Sequence, residues 1–429
     1  MRLRLANPAA RWLFVIAVVL VAAALCWEGG KHALATHWAN SADPQDWQRA
    51  AELEPSNAEH WYALGRYRQL DFENENLPLA ISYYRRAIAL VPESPYYWLD
   101  LASTYDEAGD AALAESAYQA AERDHPISAE AAWRYGNFLL GQGRDDQAYD
   151  EIHRGLLVEP QWLDLAVSRT WRNSQDVHVL LDRVLPDTPE ARERALTFLV
   201  AQNQPGASLA VWQRIKERQD PVELTQAFPL VDLLIKQDEV PQAWRVWQQA
   251  LAASGAPPGL DGVSRVTDGG FETAIADGGF GWRYTPQAGA DARLDASEPH
   301  SGSHDLKLAF DGSTNVDFNG FYEYVPAEPS TRYHFSAYMR AQGLVTDGSV
   351  HFEISDPLHP YDPIFVTQGV AGIDPWTPIT LDFETGPDTH VLIVCLRRPA
   401  SAVLTKVEGT AWVDDVSLVP AATPSGATP

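Results

Sequence analysis

Between Ala80 and Pro160 one pattern recurs at a fixed interval. Ala80, Ala114 and Ala148 stand 34 residues apart, as do Tyr84, Tyr118 and Ile152, then Ala87, Ala121 and Gly155, then Pro92, Pro126 and Pro160. A period of this length marks a helical solenoid, in which each helix pair buries its apolar face only against its neighbours. The small residues let paired helices approach closely, and the larger residue four positions on fills the gap between hairpins. Proline closes each second helix, because it cannot continue a helix interior.

The columns extend in both directions. Residues 46–55 read as a half repeat, with Trp47, Ala50 and Pro55 capping the start of the array. The first full unit carries Trp61, Leu64 and Gly65, then three extra residues in the acidic loop 71–76, then Ala80 to Pro92. The second carries Trp98, Leu101, Ala102 and Tyr105, and the third Tyr135, Gly136 and Leu139. Over 46–160 these classes and spacings resemble the tetratricopeptide repeat. Beyond it, 162–185, 189–218 and 222–253 read as degenerate helix pairs, so the array is expected to span 43–253. In that family the first helices line a groove that takes peptides or protein surfaces. Carried over by column, the groove residues implied are Tyr62, Arg66, Tyr96, Leu99, Ser103, Trp133 and Asn137; the alternative is that such side chains simply pack between helices. No row of Lys or Arg occupies these columns, so a clamp for peptide carboxylates is not expected.

After Ser254-Gly255-Ala256-Pro257-Pro258-Gly259 the helical spacing stops. This helix-breaking stretch is expected to be a linker at 254–262. Short β-rich runs follow at 305–310, 318–325, 332–340, 349–354, 376–383, 390–396 and 411–419. Tyr333, Phe335, Ala337 and Met339 alternate with polar neighbours, as in a half-buried antiparallel strand. About eight to ten short strands predict a β-sandwich, most simply a jelly roll. The fold class read from the whole chain is thus multidomain, α then β, with the sandwich over 263–419 and a disordered tail at 420–429.

Asp268-Gly269-Gly270-Phe271-Glu272, Gly281-Trp282, 301–306, Tyr322-Glu323-Tyr324-Val325 and Trp412-Val413-Asp414-Asp415-Val416 occur in an order that resembles carbohydrate-binding modules of families four, nine and twenty-two. Asp268 replaces the usual Asn there, and Glu323 stands where that family often has Gln. The resemblance implies a structural calcium held by Glu272, Asp414 and Asp415, since calcium takes several hard oxygen ligands; the alternative places Asp414 and Asp415 in solvent at a strand end. It also implies a sugar site, which needs flat aromatic faces. Tyr361, Trp282 and Tyr322 are the candidates, although a sandwich buries alternate aromatics by default. Trp376 reads as a framework residue.

At the other end, Arg2, Arg4 and Arg11 precede an uncharged run from Trp12 to Trp27. Length and flanks favour an uncleaved signal anchor over 1–30, crossing at 12–27, over a cleaved signal. The cations before the run orient its N-terminus inwards. The expected location is the inner (cytoplasmic) membrane, single-pass, with the bulk of the chain periplasmic. A net charge of −26, from 58 acidic against 32 basic residues, opposes nucleic-acid binding. Cys26 and Cys395 are not expected to pair. No phosphate loop, His-Glu-x-x-His, Cys-x-x-Cys or Gly-x-Ser-x-Gly occurs, so catalytic residues are read as none. His351, His359 and Asp362 are read as solvated or hydrogen-bonded side chains.

The combined reading is a non-enzymatic scaffold that binds a protein through the solenoid and contacts polysaccharide through the sandwich, in envelope or exopolysaccharide assembly or export. Its alternatives are a protein adaptor with a structural sandwich and, less favoured, an envelope glycan hydrolase.

Overall fold

The computed structural model describes residues 8–254 and 264–421. They fall into two compact units that divide after Asp187. Most of the expected linker and the tail from 422 lie outside the described residues.

The first unit is helical: α1 Pro8–Ala39, α2 Pro44–Leu53, α3 Ala58–Leu70, α4 Leu77–Leu90, α5 Pro95–Glu107, α6 Ala111–Asp124, α7 Ala129–Gly141, α8 Asp145–Val158 and α9 Leu163–Ser174. A short α10, Val177–Val179, then widens into a π-helical segment, Leu180–Val184. Asn57, Asn76, Asp110 and Ser128 accept first-turn amide hydrogens at the starts of α3, α4, α6 and α7, which satisfies donors that a helix start leaves open. Helices α4, α6 and α8 stop at Val91, His125 and Glu159, the residues just before the three column prolines. A residue preceding proline is pushed out of the α region.

The small columns do what their spacing predicts. Ala80, Ala114 and Ala148 are fully buried. A Cβ on Gly65 would sit 2.7 Å from the Tyr84 ring, and one on Gly136 would sit 2.9 Å from Ile152. Trp61 Nε1 donates to the Pro55 carbonyl at 3.0 Å and Trp98 Nε1 to the Pro92 carbonyl at 2.8 Å, so each first helix is tied to the proline closing the preceding pair.

Helix α1 is long and apolar enough to cross a membrane, with mean hydropathy 2.2 in its apolar stretch. Its C-terminal end does something else: it packs on α2, burying Ala35, with His32 Nδ1 at 2.9 Å from Glu54 Oε1. The half repeat read from 46–55 is therefore completed by the end of the same helix.

In the second unit, α11 Pro189–Ala201, α12 Pro205–Arg218, α13 Leu224–Lys236 and α14 Val240–Ser254 precede ten strands. These are β1 Arg283–Tyr284, β2 Ala290–Asp295, β3 Asp305–Asp311, β4 Phe318–Pro326, β5 Arg332–Val345, β6 Val350–Ser355, β7 Phe365–Val370, β8 Gly372–Glu384, β9 Val391–Arg398 and β10 Glu408–Pro420. One sheet runs β1-β4-β9-β6-β7 and the other β2-β3-β10-β5-β8, and the pairings are antiparallel. The expected two-sheet sandwich is present, with Phe318, Phe321, Phe335, Phe352, Leu396 and Val413 buried in its core. Three strands absent from the periodicity reading are β1, β2 and β7. β1 has two residues, β2 buries only Ala292, and β7 is an edge strand with Val366 and Gln368 exposed.

The last helical hairpin and the sandwich share one apolar junction. Phe280, fully buried, packs at 5.3 Å from the Trp244 ring and 6.4 Å from the Trp247 ring. Arg283 at the start of β1 forms an ion pair with Asp232 on α13. Gly279 has φ +58°, and a Cβ there would lie 2.5 Å from Trp247; on Gly278 it would lie 2.1 Å from Phe228.

One inward side chain breaks the apolar pattern. Glu323 on β4 is fully buried; its Oε1 accepts from Thr267 N at 2.7 Å, and its Oε2 has no partner among the described residues. Burial pushes its carboxyl well above the usual carboxylate range.

Two stability outcomes follow. Gly279→Ala adds a β-carbon against Trp247 at a left-handed backbone position, and is expected to cost about 1–3 kcal/mol in denaturant unfolding of the second unit. An unchanged midpoint would contradict the tight junction. Above the ordinary glutamate pKa of about 4.3 the unfolded chain binds fewer protons at Glu323 than the folded chain does, so stability falls as pH rises. Glu323→Gln should match the parent at pH 4 and be the more stable of the two at pH 8; parallel stability curves would refute the raised pKa of the buried acid.

Candidate functional site

The groove-face residues of α3, α5 and α7 meet around Asp100, a residue that column reasoning passes over. Tyr62 OH donates to Asp100 Oδ2 at 2.7 Å, Arg134 NH1 to Asp100 Oδ1 at 2.9 Å, and Arg66 Nε stands 3.8 Å from Asp100 Oδ2. Ser103 Oγ accepts from Gln69 Nε2 at 3.1 Å and from Arg134 NH2 at 3.2 Å. Burial, followed by the Asp100 carboxylate, holds the Tyr62 phenol protonated far above its usual range. Desolvation alone would lower the Arg134 pKa, but Asp100, with Tyr118 and Glu130 adding to it, raises it above the ordinary range.

The seven column residues therefore divide. Tyr62, Arg66 and Ser103 belong to this polar centre. Tyr96 is 57% exposed and offers a free aromatic face. Trp133 is partly buried against Trp162, with ring centroids 5.8 Å apart, and Asn137 donates to the Trp133 carbonyl at 2.8 Å. Leu99 is fully buried and packs the helix interface, which corrects its reading as a groove residue. Asp100 and Arg134 were discoverable: they are opposite charges one repeat apart.

In the sandwich the three sugar candidates are scattered. Trp282 is 3% exposed and stacks on Phe321 at 5.0 Å inside the core, so it has no free face and is not a sugar platform. Tyr322 lies on the outer side of the first sheet, edge-on to Tyr324 at 5.7 Å, and Arg283 lies 5.0 Å from the Tyr324 ring. Tyr361 is fully exposed in the β6–β7 loop. The outer face of the second sheet holds a further aromatic group: His300 stacks on Tyr338 at 3.6 Å, with Trp376 at 5.6 Å and Arg340 between Trp376 and Trp412.

The proposed calcium ligands are positioned, but mostly by nitrogen donors. Glu272 Oε1 accepts from Ser303 N at 2.7 Å and His304 N at 3.2 Å. Asp414 Oδ2 accepts from His300 N and Ser301 N, both at 2.9 Å, and Oδ1 from Asp415 N at 2.8 Å. Asp415 Oδ2 is 2.6 Å from His300 Nδ1. Glu272 and Asp414 both border Gly270. One residue beyond the Val413–Leu306 register pair lies Asp305, fully buried, with neither carboxylate oxygen partnered among the described residues. Burial, with Asp295 and Asp414 adding to it, pushes Asp305 up to about 7. Among the described residues Asp414 and Asp415 lie within reach of one ion together with His300, whereas Asp305 is a buried acid beside them without a recorded hydrogen-bond partner.

Residues 45–95, 69–122 and 99–154 match the tetratricopeptide-repeat family profile. No curated protein is significantly similar to the chain. Among solved structures, the crystal structure of MamA is similar at 14% identity and TM-score 0.27, covering 41% of this chain and 86% of that one. Family 16 carbohydrate binding module-2 is similar at 17% identity and TM-score 0.27, covering 36% and 99%. Pseudomonas aeruginosa pilF is similar at 18% identity and TM-score 0.25, covering 46% and 77%. Residues 45–154 thus carry tetratricopeptide repeats, units that generally mediate protein–protein interaction.

Proposed function

We propose that the chain is a membrane-anchored, non-enzymatic scaffold whose repeats hold a protein partner. The observation that carries this reading is the groove face itself. A satisfied Asp100–Arg134–Tyr62 centre bridges the first helices and leaves exposed Tyr96 and half-exposed Arg66. Rigid aromatic and arginine side chains are those that most often dominate binding energy at protein interfaces. Helix α1, long and apolar enough to span a membrane, supplies the tether in this reading, and the arginines before its apolar stretch support an orientation with the rest of the chain on the periplasmic side of the inner membrane.

The sandwich in this reading contacts a glycan during envelope or exopolysaccharide assembly or export. Tyr322 and Tyr361 remain the aromatic groups available to it, and a structural calcium would be held by Glu272, Asp414 and Asp415. A second reading, an adaptor whose sandwich is purely structural, is favoured by the burial of Phe280 against Trp244 and Trp247.

Crosslinking in the native envelope tests the first claim. The double variant Tyr96→Ala with Arg66→Ala should lose the partner at least tenfold while its unfolding midpoint stays unchanged, because neither side chain is buried. Full recovery of the partner would remove the groove from the proposal. A glycan array probed with the full chain in detergent, with and without calcium, separates the two sandwich readings. Binding that Tyr322→Ala or Tyr361→Ala weakens supports the sugar contact, and no binding in either condition leaves the structural sandwich.

A further inference from the structure

The β6–β7 loop gathers metal-ligating side chains for which the scaffold reading has no use. Asp356, 6% exposed, accepts at Oδ1 from Leu358 N (2.8 Å) and His359 N (3.2 Å), and its Oδ2 lies 2.9 Å from His359 Nδ1. Pro360 and Tyr361 form the centre of a turn closed by Asp362 N on the His359 carbonyl at 3.0 Å. Proline at the first central position presets such a turn. Asp362 is thereby folded back beside His359. One ligand atom each from Asp356, His359 and Asp362 lies within 4.8 Å of the others.

Several observations separate this group from an ordinary acidic surface. It contains an imidazole nitrogen, His359 Nδ1, that already faces a buried carboxylate oxygen, Asp356 Oδ2, across 2.9 Å, so a metal ion can replace the proton between them. Asp356 and Asp362 open into a cleft of about 330 Å³, with Phe365, Thr389 and Leu392 among its walls. Gly386 belongs to the same wall: a Cβ there would stand 3.0 Å from Asp362 Oδ2 and 3.1 Å from Thr389 Oγ1, a close approach of the backbone to the carboxylate. Negative charge here is not offset by ordinary cations. Among the described residues the recorded ion-pair partners of Asp356 and of nearby Asp238 are histidines, His359 and His390.

We propose that Asp356, His359 and Asp362 bind a divalent transition-metal ion of the zinc class at the mouth of this cleft. Imidazole with carboxylates suits zinc and its neighbours, whereas calcium prefers an all-oxygen shell. Ligands about 2.0–2.2 Å from zinc stand roughly 3.3–3.6 Å apart in a tetrahedron, and rotation of the accessible His359 and Asp362 side chains closes the present spacing. Two or three protein ligands leave a position open towards the cleft for water or an anionic group. The site is independent of the scaffold reading, because it uses none of the groove, span or calcium-type residues.

Calorimetric titration of the full chain in detergent, purified without a histidine tag, tests this with zinc chloride as the probe and calcium and magnesium chloride as comparisons. One equivalent of zinc should bind, and His359→Ala and Asp362→Asn should each weaken that equivalent at least tenfold, with metal-free circular dichroism and unfolding midpoint unchanged. Should His359→Ala disturb the turn, His359→Gln, which retains a polar side chain, must show the same loss in a folded protein. Absence of zinc binding, zinc binding indifferent to these substitutions, as at the separate His300–Asp414–Asp415 group, or preference for calcium at this loop would each overturn the assignment.

Discussion

The helical array depends on approaches too close for one more carbon atom. At Gly65 the Tyr84 ring occupies the space a β-carbon would need, and at Gly136 Ile152 does the same. Interiors packed to this density answer small volume changes with displaced neighbours rather than compression. Because these positions recur at a fixed period, the hairpins stack in one register, and residues a repeat apart become spatial neighbours. Asp100 meets Arg134, 34 residues on, for that reason, and Gln69 meets Ser103 across the first two units, which the 71–76 loop offsets by three residues. The polar centre of the groove is therefore a product of the apolar spacing beneath it.

Much of this was legible in the sequence, and the parts that were not have a common cause. The alanine, tyrosine and proline columns identify the repeats because burial on a regular helix imposes a period. The long strands β3, β4, β5, β9 and β10 show themselves through alternation or apolar runs. What periodicity does not report is which polar side chains meet across the fold. Asp305 looks like an ordinary strand-initial acid, yet it is sealed beside Asp414, which arrives more than a hundred residues later. Asp356 sits in a run of prolines and turns that reads as a solvated loop, but its own loop amides and the β8–β9 connection enclose it. Leu99 and Trp282 fail for the converse reason: a column or motif position names a residue without saying which side of the sheet or helix its bulk faces.

The sandwich treats its buried charges unequally. Arg398 is fully buried, and its guanidinium donates to Thr346 Oγ1, Asn315 Oδ1 and the Val316 carbonyl, so neutral acceptors from two loops satisfy it. Burial nonetheless lowers its pKa. Asp305 and Glu323 have no such provision at their free oxygens. A buried polar group without a partner costs about 1–3 kcal/mol, and both carboxylates lie beside the opening strand-like segment 264–273 or the strands it meets. That edge of the domain is where protons or cations bear most directly on stability.

The junction between span and solenoid has a mechanical meaning. Helix α1 is 32 residues long, about 48 Å at 1.5 Å per residue, and runs without interruption from its apolar stretch to the turn that buries Ala35 against α2. No flexible connector intervenes. Such a continuous helix acts as a shaft rather than a leash: rotation or tilt imposed on its apolar stretch would reach the first repeat as torque.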